Sequence, residues 1–246
     1  DWSSDVCSSD LGVNTGSAVA GTGSAISFGN QTAAGTYTVV ATNATTLCQQ
    51  TMTGSVTVSI NPLPTLYNVT GGGAYCSGGV GSTVGLSNSQ IGVNYQLQLN
   101  GSNVGTAVSG TGSAISFGAQ TAAGTYTVVG TNASTLCTRA MTGSVTVSIN
   151  PLPQIQVTVV QQPNNCNSNN GAVNLTVTGA AGPYTYNWTG VGVIQGQQNQ
   201  TTLRVGNYSV VVTAANTCQA TANFSLIGPG GCDICPTIGE IGRAHV

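Results

Sequence analysis

The chain has 246 residues, only 3% of them charged, with three Lys and Arg in total, one histidine and 35 glycines. A formal charge of −2 gives no electrostatic grip on nucleic acid or an acidic membrane surface. At 40% apolar the chain can bury a core, and no apolar run reaches the 18 or more residues of a membrane-spanning helix, so neither nucleic-acid binding nor membrane insertion is expected of this stretch.

Residues 1–11, DWSSDVCSSDL, read as foreign to the fold. Asp5–Asp10 back-translates as GAC GTG TGC TCT TCC GAT, whose reverse complement, ATC GGA AGA GCA CAC GTC, encodes Ile241–Val246. One oligomer thus flanks the frame in both orientations, as a translated sequencing adapter would. The expectation is that 1–11 and 240–246 are adapter and stand outside the fold. Setting them aside removes Asp1, Asp5, Asp10, Cys7, Trp2, Arg243 and His245. Arg139, Arg204, Asp233, the tyrosines and seven cysteines remain.

Residues 12–64 come next, and they repeat. They align without gaps onto 101–153, with 43 identities in 53 positions. The period of 89 suits one small β-sandwich and is too long for a solenoid turn. The first copy lacks the counterpart of residues 65–100, so 12–64 reads as a truncated repeat and 65–153 as a complete one. Apolar residues recur every second position, which predicts strands: Val56, Val58 and Ile60, then Val93, Tyr95, Leu97 and Leu99, then Val145, Val147 and Ile149. Asn100-Gly101 predicts a tight hairpin turn. The glycine runs at Gly21-Thr22-Gly23 and Gly71-Gly72-Gly73 lack a strand–helix setting for phosphate and read as turns. NPLP closes both copies, at 61–64 and 150–153. Its prolines predict an extended, semi-rigid joint between domains.

The sequence changes type at 154 yet keeps its period. Strands are expected at 155–160, around Val173, Leu175 and Val177, at 183–188, around Tyr208, Val210 and Val212, and around Ala222, Phe224 and Leu226. This marks a third sandwich, 154–230, with 231–239 beginning another repeat. The fold class is all-β, as tandem immunoglobulin-like β-sandwich domains. Residues 65–153 and 154–230 are expected to fold alone, and 12–64 not.

Two resemblances are carried by these residues. YNVTGGGAYCSGG (67–79), GSAISFG, AAGTYTVV and the terminal NPLP resemble Ig-like repeats of large secreted proteins from the Bacteroidota. Cys166, NNGAVNLTVTG (169–179), GPYTYNW (182–188), GNYSVVVT (206–213) and NTC (216–218) make residues 155–227 similar to the SprB repeat, named for a giant gliding-motility adhesin. The resemblance implies an extracellular or cell-surface protein exported by type IX secretion. Its partners would be surface glycans or other cells, reached through flanking regions. Such repeats often carry an acidic residue before the second cysteine, where Ala214-Ala215-Asn216-Thr217 stands here, so no calcium role follows.

Cysteine positions suggest one disulfide within each domain, Cys76 with Cys137 and Cys166 with Cys218; unpaired thiols are the alternative. Each loop would stabilise its domain by roughly 4 kcal/mol in the chain-entropy model, and such bonds suit an oxidising compartment. Cys48 corresponds to Cys137, and its partner position falls ahead of Asp1. Cys232 and Cys235 have C-x-x-C spacing. They lack further zinc ligands and a thioredoxin-like context, and are expected to open the next repeat. Trp188, flanked by Tyr184 and Tyr186, reads either as the core tryptophan of an Ig-like sandwich or as a sugar-stacking platform. Tyr37, Tyr126 and Tyr208, each in a G-x-Y-x-V strand, read as core rings with a bonded hydroxyl.

Chemistry has little to work with. Serines lack a histidine or lysine base, a glycosidase lacks its carboxylate pair, and calcium lacks carboxylate ligands. No catalytic, metal or cofactor site is expected. The reading is a non-catalytic spacer region of a surface adhesin, with an accessory carbohydrate-binding region of a secreted polysaccharide-degrading enzyme as the alternative.

Overall fold

The computed structural model describes residues 4–10 and 13–229, with side chains from residue 15. The described residues are all-β. The chain divides into two compact units, one of Asp1–Pro64 with Asn132–Thr138, the other of Thr65–Thr131 with Arg139–Val246. The stretches 231–239 and 240–246, with Cys232 and Cys235, lie outside the described residues.

The first unit holds β1 (Ser4–Asp10), β2 (Val13–Ala20), β3 (Gly35–Asn43), β4 (Gln49–Thr51) and β5 (Val56–Val58) in one five-stranded sheet. Residues 4–10, assigned to adapter by their coding sequence, pair along their whole length with β3, from Ser4↔Asn43 to Asp10↔Tyr37. A ladder needs only backbone N–H and C=O groups, so a segment without proline can occupy it whatever its side chains. Shifted by the repeat period, β1 stands where 93–99 stand in the second copy, but Val93, Tyr95 and Leu97 are replaced by Ser4, Val6 and Ser8.

The second unit contains two hydrophobic cores. Around the first lie β6 (Val69–Gly71), β7 (Gly73–Cys76), β8 (Ser82–Leu86), β9 (Val93–Leu99), β10 (Ser102–Ser109), β11 (Ile115–Gln120), β12 (Gly124–Asn132), β13 (Thr138–Ala140) and β14 (Val145–Asn150). One sheet runs β10-β9-β12-β14-β7 with β13 on β12; the other runs β11-β8-β6. Alternation places Val93, Tyr95, Leu97, Tyr126, Val128 and Val147 in the core opposite Val84 and Leu86. Asn100 (φ 49°) and Gly101 (φ 85°) make the β9–β10 turn as the sequence predicts.

Gly71-Gly72-Gly73 is a crossover between sheets rather than a turn. β6 pairs antiparallel with β8 in one sheet, and β7 runs parallel to β14 in the other. The chain changes layers at Gly71 and Gly72, with φ of 90° and 74°. A Cβ on Gly71 would lie 2.0 Å from the Thr83 carbonyl oxygen, and one on Gly72 would lie 2.9 Å from that of Thr146. Only glycine combines that backbone with that closeness.

The second core lies between β15 (Gln154–Gln161), β16 (Gly171–Thr178) and β18 (Gln200–Leu203) on one side, and β17 (Thr185–Thr189), β19 (Gly206–Thr213) and β20 (Gln219–Leu226) on the other. Val173, Leu175 and Leu203 face Trp188, Tyr208, Val210, Val212 and Leu226. Among the described residues no helix is long and apolar enough to cross a membrane.

Candidate functional site

Neutral amides and hydroxyls hold these sandwiches where other proteins use charges. Tyr126 and Tyr37 donate their hydroxyls to the carbonyls of Ala122 (2.8 Å) and Ala33 (2.9 Å), four residues upstream, in the geometry of a tyrosine corner. The Tyr208 hydroxyl lies 2.8 Å from the Arg204 carbonyl and accepts the Arg204 N–H at 3.0 Å. Burial pushes the hydroxyls of Tyr95, Tyr126, Tyr186 and Tyr208 above the ordinary tyrosine range. Gln200, 1% exposed, accepts from the Ile194 N–H and donates to its carbonyl. Gln195 does the same for Trp188. Both amides, the buried Gln200 and the exposed Gln195, are thereby paired on their donor and acceptor sides.

Trp188 is 3% exposed, donates its indole N–H to the Gln197 carbonyl at 2.7 Å and meets the Phe224 ring edge-on at 6.1 Å. Tyr184 and Tyr186 are half-buried against the same core, and the Tyr184 hydroxyl donates to the Ala180 carbonyl. The three do not make an exposed stacking face, because the aromatic surface a sugar would need is spent on the core. Among the described residues no three His, Cys, Asp or Glu come together. Arg139 and Arg204 are the only formally charged side chains between Leu11 and Cys232.

The chemistry that stands out is at the joint between the two sandwiches of the second unit. Cys76 is bonded to Cys218, with Cα atoms 5.6 Å apart and a sequence separation of 142. Cys137 is a free, half-buried thiol and Cys48 a free, exposed one. Cys166 is disulfide-bonded, but to none of Cys48, Cys76, Cys137 or Cys218. The pairs Cys76–Cys137 and Cys166–Cys218 expected from the sequence are therefore not formed, and strand direction explains why.

Cys76 stands beside Asn150, where the chain leaves its sandwich, since β7 runs parallel to β14. β12 is antiparallel to β14, with Gly124 opposite Val147, so Asn132 and the Cys137 hairpin lie at the other end. That end is the entrance: the Thr142 carbonyl accepts from Val69, and the Thr142 N–H donates to Tyr67. At about 3.3 Å per strand residue, β12 runs roughly 25 Å between Gly124 and Thr131, away from the end where Cys76 stands, whereas a disulfide needs Cα atoms within about 7 Å. The second sandwich repeats the geometry. Cys166 precedes Gly171, which pairs with Leu203 near the start of β19, and Cys218 follows the far end of β19. Each sandwich has one cysteine at its exit and one at its entrance.

Asn216 completes the joint. Its Oδ1 accepts the Cys218 N–H at 3.1 Å, and its Nδ2 donates to the Pro151 carbonyl of the NPLP segment at 3.1 Å. Pro153 is buried, and the Ser77 N–H donates to the Asn150 carbonyl. NPLP at 150–153 is thus tied down on both sides. A carboxylate at 216 would have no proton to give Pro151. Sequence reading missed Asn216 and the joint; the signal available was that strand count puts the two cysteines of each repeat at opposite ends.

Residues 158–193 match the SprB repeat family, a stretch of the chain rather than its whole. No curated relative matches the chain in sequence. Among solved structures the chain is similar to the N-terminal eight Ig domains of Down Syndrome Cell Adhesion Molecule, at 12% identity and a TM-score of 0.45. The match covers 93% of this chain and 33% of that one, so the chain spans a third of that structure's length. It is similar to titin domains I67–I69 in an E-to-A variant, at 10% identity and a TM-score of 0.41, covering 92% of this chain and 88% of that one. A C-terminal 282-residue intimin fragment, solved with its receptor's intimin-binding domain, matches at 12% identity and a TM-score of 0.40, covering 66% of this chain and 64% of the fragment.

Proposed function

We propose that the chain is a non-catalytic spacer region of a large secreted adhesin at the cell surface, exported by the type IX route and holding a binding region away from its anchor. The observation that carries this reading is the Cys76–Cys218 bond between consecutive sandwiches, backed by the Asn216–Pro151 hydrogen bond. A joint between independent domains is mobile by default. A covalent bridge beside the proline segment turns it into a fixed angle, which serves reach and orientation rather than turnover. The SprB match over 158–193 agrees with a surface adhesin. The near absence of charge gives a surface with little for salt to screen.

Small-angle X-ray scattering of the full chain, oxidised and then reduced, tests the reading. A spacer gives one scattering profile independent of salt and a more flexible profile on reduction. The oxidised chain is also expected to bind no member of a glycan array and to turn over no polysaccharide. Flexibility of the oxidised chain, glycan capture or turnover would each overturn it.

A further inference from the structure

Three hairpins among the described residues close alike, the third with one residue fewer before its cysteine. In each, an Asn or Ala at the end of the long strand donates its N–H to the carbonyl of a cysteine that follows: Asn43 to Cys48, Asn132 to Cys137 and Ala214 to Cys218. The residue before each cysteine has a positive φ: Leu47 (60°), Leu136 (58°) and Thr217 (66°). The first two hairpins carry free thiols, and the third carries a cysteine bonded to the exit of the preceding sandwich. Leu47 and Leu136 are 73% and 72% exposed, each in left-handed backbone that residues other than glycine seldom adopt.

From this equivalence we infer that Cys76–Cys218 is one rung of a staggered ladder, and that Cys137 is the receiving half of another, bonded to the exit cysteine of the repeat ahead of it. The rule is that the cysteine closing the first strand of one sandwich joins the entrance hairpin of the next. It uses each cysteine once and leaves no sandwich bonded to itself. Its occupant for Cys137 is the counterpart of Cys76, a position the 12–64 copy does not contain. Cys48 is then the same receiving half one repeat earlier. Cys166, at the exit of the last described sandwich and bonded to none of the other four described cysteines, stands where the rule puts a forward-pointing half.

The bond forms by thiol–disulfide exchange. The exit thiol attacks a disulfide oxidant and displaces one thiol. The Cys137 thiolate then attacks that mixed disulfide and displaces the second. Two cysteine thiols and one oxidant disulfide thus give one cysteine disulfide and two small thiols. This inference stands on the hairpin equivalence and the observed bond, and holds or fails apart from the spacer reading.

The test completes the first repeat within the full chain, by placing a copy of residues 65–100 directly ahead of residue 12 in place of 1–11. The chain is refolded with oxidised glutathione and digested without reduction, and its cross-linked peptides are read by mass spectrometry. The expected result is a new cross-link between the added exit cysteine and Cys137, with Cys76–Cys218 retained and Cys48 still open to alkylation. In the same chain with Cys137→Ser, the added cysteine should stay alkylatable while circular dichroism is unchanged. A cross-link from the added cysteine to Cys48, or an alkylatable Cys137 in material that has formed Cys76–Cys218, would overturn the ladder. So would a Cys76–Cys137 bond.

Discussion

Residues 12–64 and 101–153 are almost the same sequence in two different circumstances. In the second copy ISFGAQ forms β11 and pairs with β8, while ISFGNQ at 26–31 in the first forms no strand. Tyr126, Val128 and Val147 are 0–1% exposed and Met141 is 6% exposed. Their counterparts fare worse: Tyr37 is 8% exposed, Val39 and Val58 are only half-buried, and Met52 is 41% exposed. The difference is the missing counterpart of β6, β7 and β8, together with a β1 that carries Ser4, Val6 and Ser8 where β9 carries Val93, Tyr95 and Leu97. Strand propensity is expressed only where a neighbour offers a ladder and a facing sheet offers burial. The alternation in a sequence records a demand for a partner, and the partner decides.

The sharpest way to break this comparison is to cut the same ring from each copy. Tyr126→Ala should destabilise its sandwich by about 3–5 kcal/mol, the cost of emptying an aromatic site in a packed core. Tyr37→Ala, in a unit whose described strands form a single sheet, should cost less, about 1 kcal/mol. Urea denaturation followed by hydrogen exchange within each copy reads both, and equal losses would mean that the first copy has a complete core after all.

Next in size is the joint. Cys218→Ser should lower the stability of residues 65–229 by about 2–5 kcal/mol, the upper figure being the chain-entropy value for so long a loop. It should also expose Cys76 to alkylation, as thermal unfolding and mass spectrometry would show. Gly71→Ala follows, at about 2–3 kcal/mol, since its Cβ meets the Thr83 carbonyl in left-handed backbone. Gly54→Ala, left-handed but with nothing within 4 Å, should cost about 1 kcal/mol, and the two thermal midpoints separate closeness from conformation.

The smallest effect is expected from pH. Between Leu11 and Cys232 there is no Asp, Glu, His or Lys to titrate, so the unfolding midpoint should stay level from about pH 5 to 9. Tyr95, Tyr126, Tyr186 and Tyr208 set the upper limit. Their folded pKa values lie above the unfolded value, so their contribution is whole below about pH 10. It is lost as pH rises through the folded values, because the unfolded chain then releases protons that the folded one keeps. A midpoint that drifts in the acid range would contradict this.

Much of the fold was legible because its signals are local. Period-two alternation located β9, β16, β19 and β20, and Asn100-Gly101 located its hairpin. The tyrosine corners followed from G-x-Y-x-V. What stayed hidden depends on direction and distance. Gly71-Gly72-Gly73 looks like any loop until β6 and β7 are seen to belong to different layers. The cysteine pairing differs from the expected one because membership of one repeat is not proximity: β7 runs parallel to β14 and β12 antiparallel to it, so the strands that lead to Cys76 and to Cys137 run in opposite directions. Asn216 stood in the sequence only as part of the turn before Cys218, and its donated proton to Pro151 needs the neighbouring sandwich in place.

The bridge at the joint also fixes the route of tension. A pull arriving at β7 can leave through the sulfur atoms to the β19–β20 hairpin without passing through the 142-residue span those cysteines enclose. Most of both sandwiches then hangs off the loaded line as slack that never tightens. Force that would unravel a string of separate beads meets a covalent short cut instead.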